Sequence, residues 1–270
     1  MQIKRAVPHP VLRNIVRLFE ERRVDLGSTI LSWPVPARPH QILDIHLAQP
    51  YLVRVNGGPA KSVPGTFVVG PQTIPGAQLF LSGSVHVFTI LFQPAGLNQL
   101  IGIDMRSLVN EVPTATDVLG SSAVRLSDAV RAAPDFPARV RAAEQWLDAI
   151  LSGRATSDEA INFASGLLIS TGGQVRIDDL VRRSGLSASQ FQRRFANQVG
   201  IAPKGYARLI RFDRALVARR NAPERSWTDI LHELGYFDQA HFIREFHMLA
   251  GISPTGFRGD WENIFIPGND

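Results

Sequence analysis

Ser189, Gln192 and Arg193 form a short polar run, and Gln239, His241 and Arg244 form a second, with the two arginines 51 residues apart. Arginine presents a planar fork of donors that fits guanine O6 and N7, and glutamine can pair in the same two-bond manner with adenine N6 and N7. A good pair of this kind discriminates between bases by roughly 1–3 kcal/mol. Serine can pair with several edges. His241 reads equally well as a base reader, a phosphate donor or a plain surface residue. Gln190, Arg194, Lys204, Arg208 and Arg211 lie close by in sequence and suit phosphate oxygens. From Arg182 to Arg225 eleven basic residues, ten of them arginine, face only Asp213 and Glu224. Residues 1–170 are nearly balanced, with 15 basic and 13 acidic side chains, so the charge is local to this stretch. The chemistry these residues offer is recognition of a polyanion with readable base edges.

The elements that must position them are written twice. Gly185 to Tyr206 reads GLSASQFQRRFANQVGIAPKGY, and Gly235 to Phe257 reads GYFDQAHFIREFHMLAGISPTGF. Phe191 answers to Phe242, Phe195 to Phe246, Gly200 to Gly251 and Pro203 to Pro254, always 51 apart. Each copy opens with a short helix, expected at Ile177–Ser184 and Thr228–Leu234. A glycine, Gly185 or Gly235, follows where a turn needs positive φ. Ser187 or Asp238 then caps a longer helix. On that helix the phenylalanines four apart face a core, and the polar run faces out. Between the copies, Lys204 to Arg220 reads as a helix with Tyr206, Leu209, Ile210 and Leu216 inward, stopped at Asn221-Ala222-Pro223. Arg219 and Arg220, with the basic residues named above, remain for phosphates. Such a helix can hold two readers about one DNA turn apart, roughly 34 Å.

Taken together, GLSASQF-Q-RRF, GIAPKGY, the central RLIRFDRALVARR and the closing LGYFDQAHFIREFHMLAGISPTGFR resemble the C-terminal DNA-binding domain of the AraC family of bacterial transcription regulators. The resemblance covers residues 156 to 261. It implies a seven-helix domain of two helix-turn-helix modules bridged by a long helix, promoter binding and a cytoplasmic location. By position it makes Ser189, Gln192 and Arg193, and Gln239, His241 and Arg244, the base readers. Ala240 and Ile243 depart from a strong reader, so the first module is expected to carry more sequence specificity and the second more backbone contact.

The N-terminal half has another texture. Residues 8–22 suggest an amphipathic helix, with Val11, Leu12, Ile15, Val16 and Phe19 at helical spacing. Short β-like runs follow to residue 93: ILSW, QILDIHL, YLVRV, TFVVG, AQLFLSG and VHVFTILF, with Asn56-Gly57-Gly58 as a hairpin turn. They predict a small sandwich or barrel. Gly96–Ile103 and Pro137–Leu151 read as helices. The stripe Val140, Ala143, Leu147 and Ile150 on the latter fits ordinary packing or, as the less common alternative, a homodimer seam. Ser152-Gly153-Arg154 looks like a joint, and Thr156 to Glu159 has the form of a capping box. The helix that follows buries Ile161, Ala164, Leu167 and Leu168 and stops at Gly172-Gly173. The expected fold is α+β and multidomain. Residues 1–152 form a β-rich effector or dimerisation domain, residues 153–262 an all-α domain of two helix-turn-helix modules, and residues 263–270 a tail. The β-rich half more weakly resembles the domain that precedes this module in many family members, where it commonly senses a small molecule or mediates dimerisation.

Catalysis finds little support. The chain has no cysteine, which excludes disulfides, thiolate ligands and cysteine nucleophiles. It lacks the phosphate-loop, nucleophile-elbow and zinc-protease motifs. His9, His40, His46 and His86 do not have metal-ligand spacing. No catalytic residue, metal or cofactor is expected. Trp33, Arg54, Gln72 and His86 could line an effector pocket, though such residues more often serve as core or surface. The expected partners are double-stranded promoter DNA, RNA polymerase for an activator, a small-molecule effector and a second copy of the chain. No run is apolar enough to suggest a membrane partner. The competing reading is a ligand- or protein-binding sensor module whose helix-turn-helix no longer binds DNA specifically.

Overall fold

The computed structural model describes residues 1–152, 158–236 and 238–257. The N-terminal half contains strands β1 (Gln2–Ala6), β2 (Val16–Asp25), β3 (Leu31–Val35), β4 (Ile42–His46), β5 (Leu52–Val55), β6 (Lys61–Ser62), β7 (Thr66–Val69), β8 (Ala77–Leu81) and β9 (Ser84–Phe92). Helices α1 (Gly96–Ile101), α2 (Ala115–Leu119), α3 (Ser121–Ala132) and α4 (Phe136–Leu151) follow. The strands form a five-stranded sheet in the order β1-β2-β9-β4-β7 and a four-stranded sheet in the order β3-β8-β5-β6. Every pairing is antiparallel. All six β-like runs of the sequence became strands, and the turn at Asn56-Gly57 joins β5 to β6 with positive φ at both residues.

Side-chain alternation sorts the five-stranded sheet into two faces. Leu43 and Ile45 of β4, Val68 of β7, and Phe88 and Ile90 of β9 join residues of α1, α3 and α4 in one core. On the other face Phe67 and Val87 meet Trp33, Leu79 and Leu81 of the smaller sheet. Helices, large sheet and small sheet therefore form successive layers. The stripe on α4 is absorbed here: Val140, Ala143 and Leu147 are buried in the chain's own core, and Ile150 packs against it. It is not a free dimer seam.

The expected helix at residues 8–22 is not one. A short 3-10 turn spans Pro10–Leu12, and β2 begins at Val16. β2 lies between β1 and β9, with both faces covered. Its charged residues Glu20, Glu21 and Arg22 are buried and engaged. Arg22 Nε lies 2.8 Å from Glu20, Arg5 Nε donates to Glu20 at 2.8 Å, and Arg139 of α4 reaches Glu21 at 2.8 Å. Buried ion pairs in a central strand replaced the period-2 alternation by which a half-exposed strand is recognised.

The C-terminal half contains α5 (Glu159–Ser170), α6 (Ile177–Ser184), α7 (Ala188–Val199), α8 (Pro203–Asn221), α9 (Trp227–Glu233), α10 (Gln239–Ala250) and a 3-10 turn at Pro254–Gly256. Gly153 and Arg154 of the expected joint, Thr156 of the expected capping box, and the tail lie outside the described residues. The cap observed for α5 is Asp158, whose carboxylate accepts from the Ile161 N–H at 3.4 Å.

His46, at the end of β4, is enclosed by Tyr51 and Phe67, with ring centroids at 4.7 and 5.7 Å. Burial disfavours its charged form and lowers its pKa to about 4, with Arg131 and Arg22 adding to the effect against a hydrogen bond that the imidazole donates to the Gln49 backbone. The folded protein thus binds its proton less readily than the unfolded chain. The stability gained is present above the ordinary histidine value of 6.5 and is lost as pH falls towards 4. His46→Phe should flatten this dependence. Between pH 7 and pH 5 the wild type is expected to lose about 1–2 kcal/mol more than the variant in matched urea titrations. Equal losses would show that His46 does not titrate as described.

Candidate nucleic-acid interface

Each module is built by a phenylalanine pair and a glycine turn. In the first, Phe191 and Phe195 of α7 are fully buried with Leu180 of α6, Ile161 and Leu168 of α5, and Tyr206 of α8. Phe195 packs against Phe191 at 5.8 Å and against Tyr206 at 5.7 Å. In the second, Phe242 and Phe246 of α10 join Ile230 and Leu231 of α9 and Phe212 and Leu216 of α8. Trp227 lies 5.4 Å from Phe242 and 5.1 Å from Phe246. Gly185 and Gly235 take positive φ, 69° and 66°, at corresponding turns.

Capping sets where the long helices begin. Ser187 accepts from the Gln190 N–H, and the Gln190 side chain accepts from the Ser187 N–H, which completes a capping box. Asp238 accepts from the His241 N–H at 2.7 Å. The acid at position 238 is thereby accounted for as a cap.

The polar runs emerge on the faces opposite the phenylalanines. Ser189, Gln192 and Arg193 are exposed on α7, and Gln239, Ile243 and Arg244 are exposed on α10. His241 is less free. Its Nε2 sits 3.9 Å from Glu245, a buried carboxylate that also accepts from the Tyr236 hydroxyl at 3.1 Å. Among the residues suited to phosphate, Lys204 is exposed. Arg194 lies 3.5 Å from Asp158, and Gln190 is occupied by its cap. Arg211 donates to the Gly173 carbonyl at 3.3 Å and stacks over Tyr236, and Arg208 is half-buried. Arg219 donates to the Arg225 carbonyl and covers Trp227, while Arg220 reaches Asn221 at 3.3 Å. Several cations that looked free in the sequence therefore also brace the fold.

α8 serves both modules. Tyr206, Ala207 and Ile210 enter the first core, and Leu209, Phe212, Ala215 and Leu216 enter the second. Its 19 residues give a rod of about 28 Å. Residues 180–260 match a family model described as a helix-turn-helix domain. The C-terminal part of the chain is an AraC-type helix-turn-helix domain. Over 82 residues it is 28% identical to the HTH-type transcriptional regulator MtrA of Neisseria gonorrhoeae. That match spans 30% of this chain and 27% of the relative. ToxT from Vibrio cholerae aligns over 88% of this chain and 96% of its own, at 12% identity and a TM-score of 0.47. One ToxT structure is of an unsaturated fatty acid complex. The AraC-like transcriptional activator CuxR aligns over 80% of this chain and 86% of its own, at 17% identity and a TM-score of 0.26.

Apart from the AraC-type domain, the two sheets of the N-terminal half enclose a cavity of about 450 Å³. Val35, Ile42, Val53, Phe67, Val69 and Leu79 supply apolar wall, and Arg22, Arg38, His40 and Asp44 supply polar groups. Of the four residues considered for a pocket, only Gln72 lines it. Trp33 is buried between the sheets, Arg54 bonds Gln78 and covers Phe80, and His86 pairs with Glu21. A polar Asp44 inside the apolar run ILDIH was the one available sign of this site. Burial raises the pKa of Asp44 against the pull of Arg22 and the Thr89 hydrogen bond.

Phe246 sits at the centre of the second module, within 5.6 Å of Phe257 and 5.4 Å of Phe212. Phe246→Ala should lower the unfolding free energy by about 3–5 kcal/mol. Hydrogen exchange should quicken across Trp227–Ala250. Ile243→Ala, on the exposed face of the same helix, should stay within about 0.5 kcal/mol of wild type. Equal effects of the two substitutions would contradict the assigned faces.

Proposed function

We propose that this chain is a sequence-specific, double-stranded DNA-binding transcription regulator and not an enzyme. The observation that carries the reading is the pair of phenylalanine-anchored modules on one helix, each presenting an exposed glutamine and arginine. α7 and α10 enter successive major grooves. Ser189, Gln192 and Arg193, and Gln239, His241 and Arg244, meet base edges. Lys204 is the best-placed phosphate ligand, with Gln190, Arg194, Arg208 and Arg211 contributing as their present contacts yield. Because the exposed faces differ, the two half-sites are unlike, and one chain binds an asymmetric site. The first module reads more sequence than the second, where Ala240 and Ile243 offer no base-edge hydrogen bond. An activator of this design also contacts RNA polymerase.

The cavity between the sheets is proposed as the effector site. Its apolar wall and scattered polar groups fit a small, largely apolar molecule with a polar end. His40 supports a link to DNA binding, because it lines the cavity and lies 3.3 Å from Asp213 of α8.

Electrophoretic mobility shifts at several salt concentrations test the reading. Specific binding should weaken steeply with salt, and Arg193→Ala should cost about 1–3 kcal/mol and relax selectivity at its position. Lys204→Ala should weaken all sequences alike. Absence of duplex binding, or equal binding to every sequence at 150 mM salt, would leave the sensor-module alternative standing. For the cavity, Ala77→Trp should abolish the thermal shift given by any small molecule that stabilises the wild-type chain. An undiminished shift would place the ligand elsewhere.

A further inference from the structure

Two five-residue segments of the N-terminal half touch the backs of both modules. In the first segment, the Ala37 N–H donates to the Leu249 carbonyl at 2.7 Å, near the C-terminal end of α10. Ala37 itself is fully buried in the core of the second module. His40 Nε2 lies 3.3 Å from Asp213, in the middle of α8, and both side chains are buried. Burial acts to raise the pKa of Asp213. Its attraction to His40, with Arg38 and Arg17 nearby, holds it below the ordinary carboxylate value. Gln41 Nε2 donates to the Val199 carbonyl at 3.1 Å, at the last residue of α7, and to the Pro94 carbonyl of its own half at 2.7 Å. One short stretch therefore reaches the second reader, the bridging helix and the first reader in turn.

The second segment, Pro71 to Pro75, meets the same two helix ends. Gly200 and Gly251 are the corresponding left-handed caps of α7 and α10. A Cβ at Gly200 would stand 3.3 Å from Pro71 and 2.9 Å from the Met105 carbonyl, and one at Gly251 would stand 3.4 Å from Pro75. The two segments are tied together by reciprocal backbone hydrogen bonds between Arg38 and Gln72, at 2.7 and 2.8 Å. The two reader helices thus share α8 on one side and this pair of segments on another.

We propose that the segments Ala37–Gln41 and Pro71–Pro75 form a clamp that fixes the spacing of the two reader helices, making His40 and Gln41 determinants of half-site spacing although they touch no DNA. Anchored to α8 through one core each, the readers are held along that helix but keep freedom to tilt at their far ends. A second set of contacts at the far ends of both readers removes that freedom. One inserted base pair shifts a half-site by about 3.4 Å along the duplex and rotates it, which a braced pair of readers cannot follow. The proposal rests on the DNA-reading function above only for its consequence, since the geometry can be measured without DNA.

The chain has no native cysteine, so Ala188→Cys and Ala240→Cys place two spin labels on exposed sites at the starts of α7 and α10. Pulsed electron paramagnetic resonance on the full chain should give a narrow distance distribution. It should broaden in the His40→Leu/Gln41→Met variant and, independently, in Pro75→Ser, each checked for cooperative unfolding. An unchanged distribution in both variants overturns the clamp. In parallel, the unlabelled wild type should bind its selected site at least about tenfold more tightly than the same site with one inserted base pair, and the ratio should fall below about threefold in the variants. A ratio unchanged by the variants also overturns the proposal. Should the wild type bind no DNA specifically, the functional reading fails while the label distances still decide the clamp.

Discussion

The burial of α8 on two faces is the constraint on which the rest of the molecule depends. Tyr206 and Ile210 complete one aromatic core, and Phe212 and Leu216 complete another, with Leu209 beside them. Neither module can shift along this helix without opening its own core. At about 25 cal/mol per Å² of apolar surface, loss of even one ring from such a core costs several kcal/mol, a large share of a domain's stability. The outward faces of α7 and α10 inherit their directions from these anchors. The glycine turns and the caps at Ser187 and Asp238 then decide where each outward face begins.

The N-terminal half contributes position as well as a cavity. Its large sheet tolerates a chain of buried charges because each finds a partner: Arg5 and Arg22 on Glu20, Arg22 on Thr89, Thr89 on Asp44, and Arg139 on Glu21. Leaving one partner of such a network unpaired would be costly, so the network fixes β2, β4 and β9 in register. Of those strands, β2 and β4 line the cavity through Arg22, Ile42 and Asp44. The segment leading into β4 carries Ala37, His40 and Gln41 to the other half. Cavity wall and interdomain contact are therefore adjacent stretches of one chain segment.

Much of the C-terminal half was legible because it was written twice. Phe191 with Phe242, and Gly185 with Gly235, constrain each other's meaning, and the observed α6 coincides with the helix expected at Ile177–Ser184. The six β-like runs were legible from Val, Ile and Phe bounded by Pro and Gly. β2 was not, because Glu20, Glu21 and Arg22 are buried among partners that lie far away in sequence, and an amphipathic helix fits the same letters. The contacts that Arg211 and Arg219 make within the fold were hidden for a related reason: a guanidinium stacked on Tyr236 or Trp227 reads in sequence as a free cation. The cavity is assembled from single residues on many strands, and the clamp from contacts such as Gln41 with Val199, 158 residues apart. Beyond Asp44 within the apolar run ILDIH, neither leaves a local pattern.

The central claim is that two unlike readers on one chain engage two adjacent major grooves. Hydroxyl-radical footprinting of the full chain on a site selected from random duplex DNA tests it most directly. The account predicts two protected patches on one face of the duplex, centred about 10 base pairs apart and unlike in sequence. A single patch, or a palindromic pair that requires two chains, would contradict it.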